Sequence, residues 1–306
     1  MRRMAALALV LLLGCSARSG GGSGSGRREF DGQRAFTYLE RQMQLGPRIP
    51  GTPAHDSAGA WILAQLRSRA DTVIVQPIEH RDRRGKMLHL RNFFARFRPE
   101  AAERILYLAH WDTRPHADQD PDSAKRRLPV PGASDGASGV AVLIGVADAL
   151  KAKASQVGVD LLFVDGEDYG DFSDSNDVLI GARWFAAHQP AGYPPLFAVL
   201  FDMVGDKNLD IYVEQNSQVG APEVVDRVWG VARDLGYVNV FLPLTPVRSP
   251  SLIDDHVALQ KAGIHTIDVV DFDYPYWHTI QDTIDKVSAA SLQVVGDVAM
   301  AVIRKS

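Results

Sequence analysis

A single-domain α/β/α sandwich around a central mixed, largely parallel twisted sheet is what this 306-residue sequence predicts, on three observations. The runs Ile105-Leu106-Tyr107-Leu108-Ala109 and Asp160-Leu161-Leu162-Phe163-Val164 are apolar at nearly every position, as strands covered on both faces are. They alternate with segments of helical periodicity, the arrangement that gives parallel strands joined by crossover helices. From Arg27 onward there is no second linker, internal repeat or shift of composition, so about 280 residues belong to one domain, near the upper limit for a single core.

In chain order, residues 31–45 carry Phe36, Leu39 and Met43 at helical spacing and stop at Gly46-Pro47, and a second helix is expected over 54–69. Strand-like runs follow at 72–78, 88–97, 105–109, 159–164, 197–201, 211–213 and 266–270. Helical patterns occupy 138–152, 182–188, 222–235, 255–262 and 289–303.

The N-terminus reads differently. Arg2 and Arg3 precede an apolar run over 4–13, too short to span a bilayer and shaped like a signal-peptide core. It closes on Leu12-Leu13-Gly14-Cys15, which resembles a bacterial lipoprotein signal: residues 1–14 are expected to be removed and Cys15 to carry lipid. An ordinary secretory peptide with an incidental cysteine is the other reading. Residues 16–26 are almost wholly Gly and Ser and form a flexible tether, with the folded domain over 27–306. An exported lipoprotein of a bacterial cell envelope, anchored to a membrane on the periplasmic side or at the cell surface, is therefore expected.

Lys plus Arg at 33 against Asp plus Glu at 37 gives a net charge of −4. Loss of Arg2 and Arg3 with the leader leaves 31 against 37, or −6. No basic excess is available for phosphates, so nucleic acid is not an expected partner. The one cysteine excludes an internal disulfide and a thiolate metal cluster, so a metal here must be held by His and carboxylate.

Ligands of such sheets gather beyond the carboxyl ends of the strands. The run 105–109 leads into His110-Trp111-Asp112, 159–164 into Asp165-Gly166-Glu167-Asp168, and 197–201 into Asp202. Asp135 lies in a glycine-lined turn opening a helix, and His278 follows Trp277. So many anions on one edge need a cation, and with no thiolate the donor set points to Zn²⁺. Glu167, beside Asp168, is placed to act as a general base near the metal. Asp112 suits a partner orienting His110.

At these residues the chain resembles the zinc aminopeptidase and glutaminyl cyclase superfamily. The matching segments are Gly46-Pro47-Arg48-Ile49-Pro50-Gly51, Ala109-His110-Trp111-Asp112, Ser134-Asp135-Gly136-Ala137-Ser138-Gly139, Asp165-Gly166-Glu167-Asp168, Phe201-Asp202-Met203, Asp254-Asp255-His256 and Trp277-His278-Thr279, in family order across nearly the whole domain. In the peptidase branch two zincs would be held by His110, Asp135, Asp168, Asp202 and His278. In the cyclase branch one zinc per chain would be held by Asp135, Asp168 and His278. Three features resemble the cyclases: Asp254 where peptidases usually have serine, Trp277 before the last ligand, and Tyr169-Gly170 after Asp168 as in bacterial members. Asp168 itself departs from the glutamate most eukaryotic cyclases have there.

That branch implies a glutaminyl-peptide cyclotransferase acting on peptide or protein N-termini that bear Gln, with release of ammonia. Glu167 would carry the proton, Asp202 and Asp254 would share one and position the substrate, and the Trp277 backbone N–H would hold it. A two-zinc aminopeptidase is the alternative, and a catalytically silent surface binding protein a third. A monomer is favoured. Among the remaining residues, Asp254 is compatible with an N-cap role as well, and His265 reads as a core histidine or a supporting group under the site. His55, His80, His89, His116 and His188 sit in polar or helix-end contexts without an assigned role. Asp118, Asp120 and Asp122 read as a solvated acidic loop, although residues 114–128 have the length of a lid. Trp184 and Trp229 read as core, and Phe172 as core or pocket lining.

Overall fold

The computed structural model describes residues 28–306 except 174, 191 and 194. The leader, Cys15 and the Gly/Ser tether lie outside the described residues. Among the described residues no helix is long and apolar enough to cross a membrane.

Two helices come first: α1 (Gly32–Leu45), capped by Asp31 accepting from Arg34 N–H, and α2 (Pro53–Arg67), with Thr52 as cap and proline in its first turn. Six strands then build the sheet in the order β1-β2-β4-β3-β5-β8. They are β1 (Thr72–Arg81), β2 (Met87–Phe97), β3 (Arg104–His110), β4 (Gly158–Val164), β5 (Phe197–Asp202) and β8 (Thr266–Val270). β1, β2 and β4 pair antiparallel, while β4, β3, β5 and β8 run parallel. The sheet is thus mixed and largely parallel, as expected.

Side chains alternate to two cores. Ile105, Tyr107 and Ala109 of β3 face one side, where α1, α3 (Ala137–Ala152) and α8 (Ala289–Lys305) pack on one another. Leu106 and Leu108 face the other, with Phe185 of α4 (Ile180–Ala187) and Leu259 of α7 (Asp255–Lys261). This two-sided cover is why the central strands carry no polar face.

One expected strand behaves otherwise. Residues 211–213 give only β6 (Ile211–Tyr212), which pairs parallel with β7 (Phe241–Leu242) in a separate ribbon and not with the main sheet. That ribbon frames α5 (Gln215–Gly220) and α6 (Pro222–Asp234). Neither β7 nor α5 is evident from periodicity, since two and six residues cannot display one.

Candidate active site

Because β3, β4 and β5 are parallel and in register, their carboxyl ends lie side by side, and His110, the loop 165–168 and Asp202 share one edge. Asp135 arrives from the turn before α3. Its glycines are steric requirements: a Cβ on Gly136 would lie 2.7 Å from the His110 ring, and one on Gly139 2.1 Å from the Phe201 carbonyl oxygen. His278 arrives from the loop after β8 in left-handed backbone (φ 52°), a conformation uncommon outside glycine that the surrounding packing holds.

Two metal-competent triads share Asp135: Asp135, Asp168 and His278, and His110, Asp135 and Asp202. In the first, His278 Nε2 lies 3.4 Å from Asp168 Oδ1 and 3.6 Å from Asp135 Oδ2. A tetrahedron with arms of about 2.0–2.1 Å has edges of roughly 3.3–3.4 Å, so these spacings fit a Zn²⁺ coordination shell. Asp168 Oδ2 is buried and without a hydrogen-bond partner, a donor left for a cation. In the second triad, His110 Nε2 lies 3.1 Å from both Asp135 Oδ1 and Asp202 Oδ1. The residues present therefore fit one zinc, and the second triad permits another.

A second layer holds the first. The Asp112 carboxylate accepts from the backbone N–H groups of Glu167 and Asp168, each at 3.1 Å, while His110 Nδ1 is 3.6 Å away. It fixes the 167–168 loop more directly than it orients His110. Asp282 accepts from Ser134 N–H, Asp135 N–H and the Tyr274 hydroxyl, immobilising the Asp135 turn from one side. Arg48, fully buried, holds it from the other, donating to the carbonyls of Trp111 (3.0 Å) and Gly132 (2.6 Å). Arg114 donates to Asp168 Oδ1 at 2.6 Å and to Asp118 Oδ1 at 2.6 Å, and Asp118 stands 3.5 Å from His278 Nδ1. This closed circuit ties two ligands to one loop.

Glu167, Asp202 and Asp254 line a single cavity of about 370 Å³ with Asp135, His278 and Trp277. Burial, then the Asp254 charge, raises Glu167 well above the ordinary carboxylate range. Asp202 is raised to about 7, by burial and by Asp254 against the opposing pull of His110. Asp135 is lowered to about 2: burial opposes this, but the hydrogen bond and charge of His110 outweigh it. Burial works against the charged imidazole of His278, yet Asp168 and Asp135 raise it above its usual value. With no cation bound, protons on imidazole and carboxyl groups offset the anion excess; a divalent ion displaces them.

Behind Asp254 the chemistry changes. Its side chain accepts from Asp255 N–H at 2.5 Å, so it does cap α7. Neither oxygen of Asp255 or Asp268 meets an N–H or O–H donor among the described residues. Burial, then the charges of Asp254 and Asp202, raise Asp268 well above the ordinary carboxylate range. His256 Nε2 lies 3.2 Å from Glu214 Oε2 and its Nδ1 3.7 Å from Asp268 Oδ2.

Several expectations change. His265 is neither core nor under the site: it is 59% exposed and pairs with Glu223 at 2.5 Å. His55 is buried, bonded to Asp165 at 2.8 Å and stacked on Trp111 at 4.2 Å, so it does have a structural part. Asp120 is buried, accepting from Ile280 N–H, and Asp118 belongs to the site, so the loop is not merely solvated. Trp184 and Trp229 are only half-buried; the first stacks on His188 at 4.2 Å and the second donates to the Leu242 carbonyl. The Trp277 N–H donates to the Tyr274 carbonyl at 3.3 Å, while its indole stacks over His278 at 3.9 Å. Arg48, Arg114, Asp118 and Asp282 carry no short-range signal of their roles. Arg48 lies within the family-matching segment Gly46-Pro47-Arg48-Ile49-Pro50-Gly51.

Sheet order, helix layers on both faces and a His/Asp cluster on the carboxyl edge define the zinc-aminopeptidase-like fold class. The sequence profile of Peptidase family M28 matches residues 92–303, and the chain belongs to that family. It is 24% identical over 273 residues to a glutaminyl-peptide cyclotransferase of Drosophila melanogaster, covering 81% of this chain and 73% of the relative. Among solved structures, Porphyromonas gingivalis glutaminyl cyclase superposes with a TM-score of 0.86 at 36% identity, covering 91% of this chain and 99% of that one. A Zn-dependent exopeptidase from Parabacteroides distasonis superposes with a TM-score of 0.85 at 33% identity, over 90% and 99%. Relatives of both kinds thus share this architecture.

Proposed function

We propose that this protein is a zinc-dependent glutaminyl-peptide cyclotransferase, converting N-terminal glutaminyl residues of peptides or proteins to pyroglutamate. The observation that carries the reading is Asp254, buried in the same cavity as Asp202 and Glu167 and raising both. An acid that shares a proton with Asp202 weakens Asp202 as a ligand for a second metal. Asp135, Asp168 and His278 would hold one zinc, which when bound supplies Lewis acidity toward the side-chain amide carbonyl. Glu167 accepts the proton of the attacking α-amine. As the new C–N bond closes the five-membered ring and the amide C–N bond breaks, Glu167 returns that proton to the nitrogen leaving as ammonia. Asp202 and Asp254, holding one proton between them, orient the amine and the amide nitrogen. The Trp277 indole walls the first residue.

The second reading is a two-zinc aminopeptidase, favoured by the intact His110–Asp135–Asp202 triad. One sample assayed side by side for ammonia release from Gln-peptides and for amino-acid release, with metal analysis, separates the two. Ammonia with about one zinc per chain supports the cyclase; amino acid with about two overturns it. The setting we propose is the outer side of a bacterial membrane, with Cys15 lipidated and the tether giving reach; labelling with a radioactive fatty acid, absent in Cys15→Ala, tests it.

A further inference from the structure

Two grooves leave the active-site cavity. One, past Asp118 and Asp171, is lined by acidic and basic side chains together, among them Asp82, Arg84, Lys86 and Asp177, and has no net preference. The other runs between α4 and α7 and differs in kind. It has a volume of about 540 Å³, it shares Phe172 and Ile253 with the active-site cavity, and among the described residues no carboxylate lines it. Val178, Leu179, Ala186 and Ala258 supply apolar surface, and Ile253, 60% exposed at its mouth, is a large apolar side chain held in water. Arg183 and Lys261 supply two cations. Arg183 is positioned by donating to the carbonyls of Ser175, Asn176 and Val178. Lys261 makes no ion pair among the described residues.

We propose that this groove is the subsite for the residues following the substrate's first, selecting an apolar side chain at position two or three and an acidic one at position four. The inference rests on the reading of the adjoining cavity as the site of the N-terminal residue. Spacing sets the positions. Lys261 lies six residues along α7 from Asp255, about 9 Å of helical rise, and extended peptide advances about 3.3 Å per residue. An acidic side chain about three residues beyond the first therefore meets Lys261, while the intervening residues cross Ile253 and the alanine-lined floor. An apolar floor with the two cations Arg183 and Lys261 and, among the described residues, no anion favours such a segment over a basic one.

The test compares C-terminally amidated Gln-Leu-Ala-Asp-Gly and Gln-Leu-Ala-Lys-Gly on the full domain. Wild-type protein is expected to prefer the aspartate peptide three- to tenfold in kcat/KM at low salt, with the preference shrinking as salt rises. Lys261→Glu should invert the ratio. Equal rates for the two peptides, or a ratio unmoved by Lys261→Glu, overturn the subsite while leaving the cyclase intact. Failure to cyclise either pentapeptide or Gln-Ala amide overturns the cyclase instead; the same ratio is then read on amino-acid release or, without turnover, on calorimetric affinity.

Discussion

The two halves of the site handle excess negative charge in opposite ways. Around Asp135, Asp168 and His278, supporting groups are satisfied: Asp112 and Asp282 accept backbone N–H groups, and Arg48 and Arg114 bring positive charge. The open valence there is Asp168 Oδ2, buried and without a hydrogen-bond partner. Around Asp254, Asp255 and Asp268, carboxyl groups lie together with few donors; burial raises all three, neighbouring carboxylates add to the rise at Asp255 and Asp268, and His256, the Asp255 N–H and His110 oppose it at Asp254. One half is built to be neutralised by a cation and the other by protons. The same residue type becomes ligand or acid according to which compensation its surroundings supply.

The sharpest break of this comparison is the pair His278→Ala and Asp202→Asn. The first should abolish bound zinc and activity together; the second should leave one zinc per chain by metal analysis while impairing turnover. Loss of all zinc in Asp202→Asn would merge the two halves. Next is Glu167→Gln, expected to lower kcat about 10²- to 10⁴-fold with zinc content retained. Unchanged kcat would remove Glu167 as the proton carrier.

Arg48→Met comes third. It leaves the buried carbonyls of Trp111 and Gly132 without their donor, at a cost of about 3 kcal/mol, read as a lower midpoint in denaturant and a weaker zinc affinity. The smallest effect is Asp268→Asn. A carboxyl raised in the folded state stabilises most when both states are protonated, and that stability is lost as pH rises above the unfolded value of about 3.9. The variant should therefore melt roughly 2–4 °C higher than wild type near pH 8, and the difference should vanish near pH 4. Equal pH dependence would mean that Asp268 is ionised in the fold.

Much of this was legible locally. A strand apolar on both faces and ending in His110 or Asp202 announces a buried parallel strand and its functional end in one reading. The glycines around Asp135 are legible as steric room, and Gly136 and Gly139 need it. Arg48 and Asp282 were not legible, because each is satisfied by groups remote in sequence: Arg48 by a carbonyl 84 residues away, Asp282 by an N–H 148 residues away. The exposure of His265 and the buried bond of His55 to Asp165 were not legible for the same reason, since burial of a lone histidine depends on what packs over it.

Sequence by itself determined the strand and helix periods, the cation-requiring edge and a donor set restricted to imidazole and carboxylate, because these follow from side-chain chemistry and spacing along one element. Tertiary structure decided the pairing of the 211–212 segment with 241–242, the braces on Asp135 and the groove between α4 and α7. It also decided which carboxyls face a metal and which face each other. Those are contacts between elements, and their energies depend on burial and on partners that no local window contains.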